Sequence, residues 1–191
     1  MNASSEVRAR ARLYTPQFYD LHQDGARRSA RQIIPLVLNW VRANSVVDVG
    51  CGTGSWLATV RECGNDDIIG VDGDYVYQSQ LEIPRATFVA RDLTRPVDLG
   101  RSFDLAISLE VAEHLPAPCA STFVASLVKL APIVLFSAAI PGQGGTDHVN
   151  EQWQDYGAIC FRSTTIFSSG CSLSGIASEP GSLTARNCAG G

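Results

Sequence analysis

Three histidines and several carboxylates are the side chains of this 191-residue chain best suited to acid–base chemistry near neutral pH. His114 and its neighbour Glu113 come directly after an apolar, strand-like run, at the end of a strand where a ligand would bind. His148 lies in a polar, glycine-rich stretch that follows the next such run. His22 lies near the N-terminus, where we expect a surface residue. The candidate catalytic residues are therefore His148 and His114.

Each candidate has an alternative interpretation. His114 is either a catalytic base or a structural hydrogen-bonding partner of the adjacent loop, and the sequence favours neither. For His148 a role in substrate binding is favoured. The glycines of residues 142–153 suit a mobile lid, and the polar and aromatic residues of the same stretch suit a ligand. No metal is predicted, because the spacing of the available acids resembles no ligand set. Those acids are Asp72, Asp74, Asp147 and Glu151.

A glycine loop at residues 50–54 follows the first strand-like run, residues 46–49. Glycine takes a positive φ and lets the backbone approach a ligand, while the next helix presents unpaired N–H groups. The spacing is G-x-G-x-G, whereas a dinucleotide loop usually reads G-x-G-x-x-G. Asp72 ends the second strand, and an acid there can accept hydrogen bonds from both ribose hydroxyls. Because several nucleoside cofactors need that acid, Asp72 does not discriminate between them.

Four motifs, in order, resemble those of the class I S-adenosylmethionine-dependent methyltransferases across residues 45–156. They are DVGCGTG at 48–54, VD at 71–72, RDL at 91–93 and SLEVAEHL at 108–115. The resemblance implies a Rossmann-like fold and S-adenosylmethionine as the cofactor. Four motifs in order are far more specific than any one of them.

The resemblance also assigns roles to residues. It implies that Gly50 and Gly52 lie against the methionine part of the cofactor and that Asp72 binds the ribose hydroxyls. Asp92 would accept from the adenine amino group, with Leu93 beside the ring, and Glu110 would lie near the amino-acid end. The remaining candidate cofactor-binding residues are Asp48, Cys51, Gly54 and Gly73.

Three of these acids also have structural interpretations that the sequence leaves open. Asp48 could end a strand by accepting from loop amides, Asp92 could cap a turn, and Glu110 could be a solvated acid in the first turn of a helix. Taken singly, the two interpretations of each acid are about equal. Taken together in this order, they favour the cofactor site.

Apolar periodicity predicts an α/β protein with a doubly wound, mostly parallel sheet. Helical spacing over residues 25–40 predicts one or two helices, with a kink or break at Pro35. Strands are predicted at 46–49, 68–71, 87–89, 103–108 and 133–136, and further helices at 55–63, 75–81 and 121–129.

The composition changes after Tyr156. Residues 157–191 contain seven serines, six glycines and three cysteines, and apart from Thr164 to Phe167 they have no strong strand pattern. We therefore predict a methyltransferase domain at 1–156, including an N-terminal helical segment at 1–44, and an atypical tail at 157–191. The resembled family continues with a helix and two strands, which are predicted to be missing here. The fifth strand would then be an exposed apolar edge.

Charge and composition narrow the partners. The net charge of −4 argues against nucleic acid, so a small molecule is the default acceptor. No apolar stretch matches a secretory signal or spans a bilayer, so the six cysteines are interpreted as reduced thiols of a cytoplasmic protein. The lack of a C-x-x-C pair disfavours a structural zinc site. The oligomeric state is not predicted.

The predicted function is S-adenosylmethionine-dependent methyl transfer to a small molecule, with the methylated atom left open. One alternative is a cofactor-binding but inactive remnant, because the end of the chain is atypical. A second alternative is an NAD(P)-dependent oxidoreductase, which would need a third glycine deeper in the helix and a paired tyrosine and lysine. Lys129 is the only lysine in the chain, which disfavours this alternative.

Overall fold

A computed structural model describes residues 16–153 and 165–168, with side chains from residue 24 to residue 153. The helices are α1 (Pro16–Val41), α2 (Ser55–Glu62) and α3 (Ala120–Leu130). The strands are β1 (Ser45–Val49), β2 (Asp67–Asp72), β3 (Phe88–Ala90), β4 (Leu105–Leu109), β5 (Ile133–Ser137) and β6 (Thr165–Ser168). No helix in the described ranges is long and apolar enough to cross a membrane.

The strands form one sheet in the order β3-β2-β1-β4-β5-β6, and every described pair is parallel. The chain first builds outward from β1 to β3, then returns to the other side of β1 with β4. The strand order therefore reverses between β1 and β4, and ligands of such sheets bind at that reversal, beyond the carboxyl ends of the strands. The predicted parallel α/β fold is confirmed.

The two faces of the sheet bury separate apolar clusters. Alternate residues of the central strands supply each face, so Val46 and Val47 belong to opposite clusters. Helices α1 and α2 cover the face of Val46, and α3 covers the face of Val47. Since both faces are covered, all five residues of β1 are buried, as expected for a central parallel strand.

The predicted break at Pro35 is absent, because α1 runs unbroken from Pro16 to Val41. Ala30, Ile34 and Val37 are buried on the side of α1 that faces the sheet. Burial of each large apolar side chain contributes about 1.5–3 kcal/mol, which together offsets the roughly 3 kcal/mol that an internal proline costs.

The predicted helix at residues 75–81 is wrong, since this segment forms successive turns. The Tyr75 hydroxyl donates a hydrogen bond back to Asp72 at 2.7 Å, and the Val76 amide donates to the Gly73 carbonyl at 3.3 Å. These local bonds fold the segment against the end of β2 and prevent it from extending as a helix.

The prediction that β5 is an exposed edge is also wrong. Strand β6 pairs with β5 in parallel register, from Ile133 opposite Thr165 to Phe136 opposite Ser168. Among the described residues it is the one strand that follows β5. The predicted boundary between residues 156 and 157 lies outside the described residues.

Candidate functional site

The glycine loop lies at the carboxyl edge of β1, where the strand order reverses. Gly50, Gly52 and Gly54 have φ values of 90°, 54° and 89°, all in the left-handed region that favours glycine. The amides of Gly50 and Cys51 donate to the Val71 carbonyl at 2.7 and 3.2 Å. These bonds tie the loop to the end of β2, so the first two motifs form one surface.

Two of these glycines are also required by space. A Cβ on Gly50 would lie 2.3 Å from a methyl carbon of Val111, and one on Gly54 would lie 2.9 Å from Ile83. Val111 belongs to the segment after β4, so the close approach at Gly50 joins the first motif to the fourth. The predicted glycine loop is therefore a tightly packed turn that contacts the segment before β3, through Ile83, and the segment after β4, through Val111.

Asp72 organises the end of β2. Its carboxylate accepts from the Gly52 amide at 2.7 Å, from the Gly73 amide at 2.6 Å and from the Tyr75 hydroxyl at 2.7 Å. A Cβ on Gly73 would lie only 2.0 Å from the Tyr75 ring, so glycine is needed there. Sequence reasoning missed Tyr75, although a tyrosine three residues after the strand-ending acid was a usable signal.

Asp48 is a buried acid beside Asp72. Its Oδ2 atom has no hydrogen-bond partner among the described residues. Burial, and secondly the charge of Asp72, raises the pKa of Asp48 well above its ordinary value. The same causes, burial first, raise the pKa of the Cys51 thiol. Both shifts favour the neutral forms of Asp48 and Cys51, and a cationic ligand at this edge of the sheet would favour the ionised form of Asp48.

That charge distribution fits S-adenosylmethionine, whose sulfonium and ammonium groups are both cationic. A pyrophosphate would instead bring further negative charge close to Asp48 and Asp72. The acidic side chains at this edge therefore fit S-adenosylmethionine better than a dinucleotide.

The residues predicted on the adenine side have structural roles in the described chain. Asp92 Oδ1 accepts from the Thr94 amide at 3.0 Å and from the Thr94 hydroxyl at 2.6 Å, which closes a turn. Leu93 is buried in the same cluster as Val71. The predicted contacts of Asp92 and Leu93 with adenine stay predictions.

Glu110 lies at the carboxyl end of β4 with a φ of 57°, a conformation that costs a non-glycine residue about 1 kcal/mol or more. Its carboxylate accepts from the Ser137 hydroxyl at 2.7 Å, and its amide donates to the Ser137 carbonyl at 3.1 Å. Both bonds hold the strained residue beside the end of β5. Strain of this kind is typical of functional sites.

Glu113, His114 and His148 come together beyond the ends of β4 and β5. The Glu113 carbonyl accepts from the amides of Val149 and Asn150 at 2.9 and 3.0 Å. These bonds bring the 142–153 loop against the turn that carries His114. The two imidazole rings lie 5.0 Å apart, edge to face, and one ligand atom from each of the three side chains lies within 4.8 Å of the others.

The Glu113 side chain is fully buried, and neither carboxylate oxygen has a hydrogen-bond partner among the described residues. Burial, and secondly the charge of Glu110, raises its pKa to about 7. Burying an unpaired carboxylate costs several kcal/mol, so a group left this way is a candidate for function. Sequence reasoning used Glu113 only to locate His114, and the missed signal is its place in the fourth motif.

Glu151 determines the shape of the 142–153 loop. Its carboxylate accepts from the amides of Gly142 and Gly144, both at 2.8 Å, and lies 2.9 Å from His148 Nδ1. The bond with His148 is the largest cause that lowers the pKa of Glu151. A Cβ on Gly145 would lie 2.3 Å from His148 Nε2, so this glycine makes room for the ring. The loop is thus organised by an acid that the sequence considered only as a metal ligand.

A family model described as a methyltransferase domain matches residues 20–176. The chain belongs to this methyltransferase family. No curated protein matches it. The predicted class I methyltransferase family is confirmed, and so is S-adenosylmethionine as the cofactor of that family. The roles of individual residues in this methyltransferase stay predictions.

Solved structures agree with the fold of this methyltransferase. Magnesium protoporphyrin IX methyltransferase from Synechocystis PCC 6803, with bound SAH, is 22% identical, with a TM-score of 0.50 over 71% of this chain and 73% of that one. The small RNA methyltransferase HEN1 is 20% identical, with a TM-score of 0.52 over 68% and 20%. An O-methyltransferase family protein from Burkholderia thailandensis is 15% identical, with a TM-score of 0.49 over 73% and 53%.

The methyltransferase chain spans 53–61% of the length of the first solved structures that it matches. The likeness to HEN1 and to magnesium protoporphyrin IX methyltransferase, with TM-scores of 0.52 and 0.50, establishes the fold. The family match also decides against the NAD(P)-dependent oxidoreductase. Consistent with this, Lys129 lies on α3 and forms an ion pair with Asp98 at 2.5 Å.

Proposed function

We propose that the chain transfers the methyl group of S-adenosylmethionine to a hydroxyl of a small-molecule acceptor. The observation that carries the proposal is the cluster of Glu113, His114 and His148 at the same sheet edge as the glycine loop. A hydroxyl must lose its proton to become a good nucleophile, and a carboxylate with a pKa of about 7 and two imidazoles suit that task near neutral pH.

The cofactor would be held by the region from β1 to β2. The Asp72 carboxylate would bind the ribose hydroxyls, exchanging its bond to Tyr75 for them, and Gly50 and Gly52 would lie along the methionine part. Asp48 and Glu110 would offset the positive charge of the ligand. When bound, S-adenosylmethionine supplies a methyl group on a sulfonium, which is a good leaving group. The protein then has to orient the acceptor and exclude water, and orientation can supply about 7–11 kcal/mol.

The acceptor would lie between the segment that follows β4 and the 142–153 loop. In the transfer, the acceptor oxygen forms a bond to the methyl carbon as the carbon–sulfur bond breaks, and its electron pair returns to sulfur. The hydroxyl proton passes to the cluster. Val149 and Trp153 are exposed apolar side chains on the same loop, and they support a small organic acceptor. The net charge of −4 supports a small molecule over a nucleic acid.

We also propose a cytoplasmic location. Among the described residues, Cys51, Cys63 and Cys119 are free thiols, which supports a reducing compartment. The composition changes after Tyr156, but residues 165–168 form β6, which pairs with β5. A chain ending at Tyr156 would lack β6, so we expect its Tm to be lower than that of the full chain.

The test of function is a radiolabel transfer assay with the full chain and methyl-labelled S-adenosylmethionine. Three acceptor pools are compared: small hydroxyl and amine compounds, RNA, and protein. We expect label in hydroxyl compounds and loss of that label in Asp72→Ala. Label only in RNA or protein would contradict the small-molecule proposal. Cofactor binding without transfer to any pool would support the inactive remnant instead.

A further inference from the structure

We propose that Glu113, His114 and His148 bind a divalent transition-metal cation. The three side chains come from two separate segments, the turn after β4 and the loop after β5. One possible ligand atom from each lies within 4.8 Å of the other two, a spacing that a cation drawing the three atoms inward would need to shorten only modestly.

Glu113 provides the independent support for this site. Its side chain is fully buried in the cluster, and both carboxylate oxygens are without a hydrogen-bond partner among the described residues. A buried carboxylate that is not hydrogen-bonded is stabilised by a paired charge or a metal ion. The nearby groups that can carry charge are Glu110, which repels it, and His114, His148 and Glu151. Glu151 is itself an acid, and its carboxylate already accepts from two loop amides and pairs with His148.

The histidines are oriented as metal-binding histidines are. His114 Nδ1 lies 3.2 Å from the Asp147 carbonyl, and His148 Nδ1 lies 2.9 Å from Glu151 Oε1. Because both partners are acceptors, each Nδ1 carries the proton of the neutral ring. The lone pair then lies on Nε2 of each ring, and a metal can bind there. A carboxylate or a carbonyl on the far nitrogen is the usual support of a metal-bound imidazole.

The ligand set indicates the class of ion. Two imidazoles and one carboxylate suit zinc, manganese, iron or cobalt, whereas calcium and magnesium prefer sets made only of oxygen. Three protein ligands also leave coordination positions for water or for an acceptor oxygen. The site is thus a candidate catalytic metal centre.

The use of this ion rests on the proposed function. A bound cation would hold the acceptor oxygen and lower the pKa of its hydroxyl. The proton would then pass to solvent, because both imidazoles are already metal ligands. As before, the acceptor oxygen forms a bond to the methyl carbon while the carbon–sulfur bond breaks. The cation takes part in neither bond, so it is not consumed.

The experiment is a titration of the untagged full chain, freed of metal, with Mn²⁺, Co²⁺, Zn²⁺ and Mg²⁺. Calorimetry gives the stoichiometry, electron paramagnetic resonance follows bound Mn²⁺, and visible absorption reports the Co²⁺ ligands. We expect one site per chain and weaker binding of Mg²⁺ than of the other ions.

Variants separate this site from adventitious binding. Glu113→Gln keeps the shape of the side chain, and His148→Ala lies on a surface loop, so both should fold, which the Tm checks. Each should weaken Mn²⁺ binding at least about tenfold, and Glu151→Gln should weaken it by roughly 10–100-fold. His22→Ala is the matched control, because it removes the third histidine, on α1, and should bind as wild type.

Two results would overturn the metal site. One is the absence of saturable binding of Mn²⁺, Co²⁺ and Zn²⁺, and the other is binding that is unchanged in both Glu113→Gln and His148→Ala. Methyl transfer that continues in the metal-free chain would reject the inference and leave the proposed function standing. Metal binding that depends on the three residues, without methyl transfer to any acceptor, would support the metal site and reject the proposed function.

Discussion

The cofactor region and the acceptor region are built in different ways. The cofactor region, residues 48–54 and 70–75, is fixed by backbone bonds between adjacent parallel strands and by glycines that fit tight spaces. The acceptor region, residues 110–114 and 140–153, is held by side chains and loop amides that meet across the sheet edge. Glu151 takes part in three of these bonds, and the Glu113 carbonyl accepts two more.

The difference shows which region can vary. Changes in the cofactor region strain the backbone of the central strands, so they should affect folding and cofactor binding together. Changes in the acceptor region alter a loop whose bonds lie at its surface, so they should affect turnover alone. A fold built in this way allows one cofactor region to be combined with different acceptors, because the proposed acceptor loop is separable from the sheet.

The largest expected effect follows from Gly50→Ala. The alanine would have to adopt a left-handed φ, and its Cβ would also clash with Val111. We therefore expect the free energy of unfolding to fall by about 2–5 kcal/mol and cofactor binding to be lost. Urea denaturation measures the first and calorimetry the second. Gly64→Ala is the matched control, because Gly64 has the same φ of 90° but open space around it, and should cost only about 1–2 kcal/mol. Equal losses in the two variants would show that the contact with Val111 is unimportant.

Asp72→Ala should have the next largest effect. It removes the acceptor of the Gly52 and Gly73 amides and of the ribose hydroxyls, which costs about 1–3 kcal/mol, or roughly 10–100-fold in the Kd of S-adenosylmethionine. Tyr75→Phe removes only the hydroxyl that the ribose would replace, and should change the Kd less than about threefold. Wild-type affinity in Asp72→Ala would reject the ribose assignment.

Glu151→Gln tests whether the acceptor region can fail alone. The amide would lose charge-assisted bonds to the amides of Gly142 and Gly144 and to His148, so turnover should fall by roughly 10–100-fold. The Kd of S-adenosylmethionine should stay within about twofold, because no residue of the cofactor region changes. A parallel loss of cofactor affinity would contradict the separation of the two regions.

The smallest expected effect concerns Asp48→Asn. The pKa of Asp48 is raised by burial and by Asp72, so its stabilising contribution is present below its ordinary value of 3.8 and is lost as the pH rises through the raised pKa. Removing the charge should therefore raise the Tm of the cofactor-free chain at pH 7.5 by a few degrees. The difference in Tm between Asp48→Asn and the wild type should close as the pH falls toward 4. The variant should also bind the cofactor more weakly than the wild type. A lower Tm at pH 7.5 would show that ionised Asp48 stabilises the fold.

Most of the fold was predictable, and the errors have local causes. The five predicted strands each match a strand of the structure to within about two residues, because buried parallel strands carry an apolar signal of their own. The predicted helix at 75–81 failed because the Tyr75 hydroxyl bonds back to Asp72 at the end of β2, which apolar spacing does not reveal. The break at Pro35 failed because the propensity of one residue was outweighed by the buried face of α1.

The site was predictable where its residues follow one another in the sequence. The glycines and Asp72 lie at strand ends, so their meeting follows from the parallel order of β1 and β2. Glu113 and His148 are 35 positions apart, and no local pattern states that a carboxylate and an imidazole will share one buried cluster. The sequence named His114 and His148 separately and predicted no metal, since it weighed acids whose bonds in the structure serve turns and loops.

The sequence by itself determined the family through its four motifs, and the parallel sheet and the position of the glycine loop through short-range periodicity and through turns whose positive φ favours glycine. Only the tertiary structure decided which polar groups are buried without partners and which histidine lies beside which acid. Burial and pairing depend on long-range contacts. A sequence therefore does not distinguish a solvent-exposed glutamate from Glu113, which is buried and has no hydrogen-bond partner for its carboxylate among the described residues.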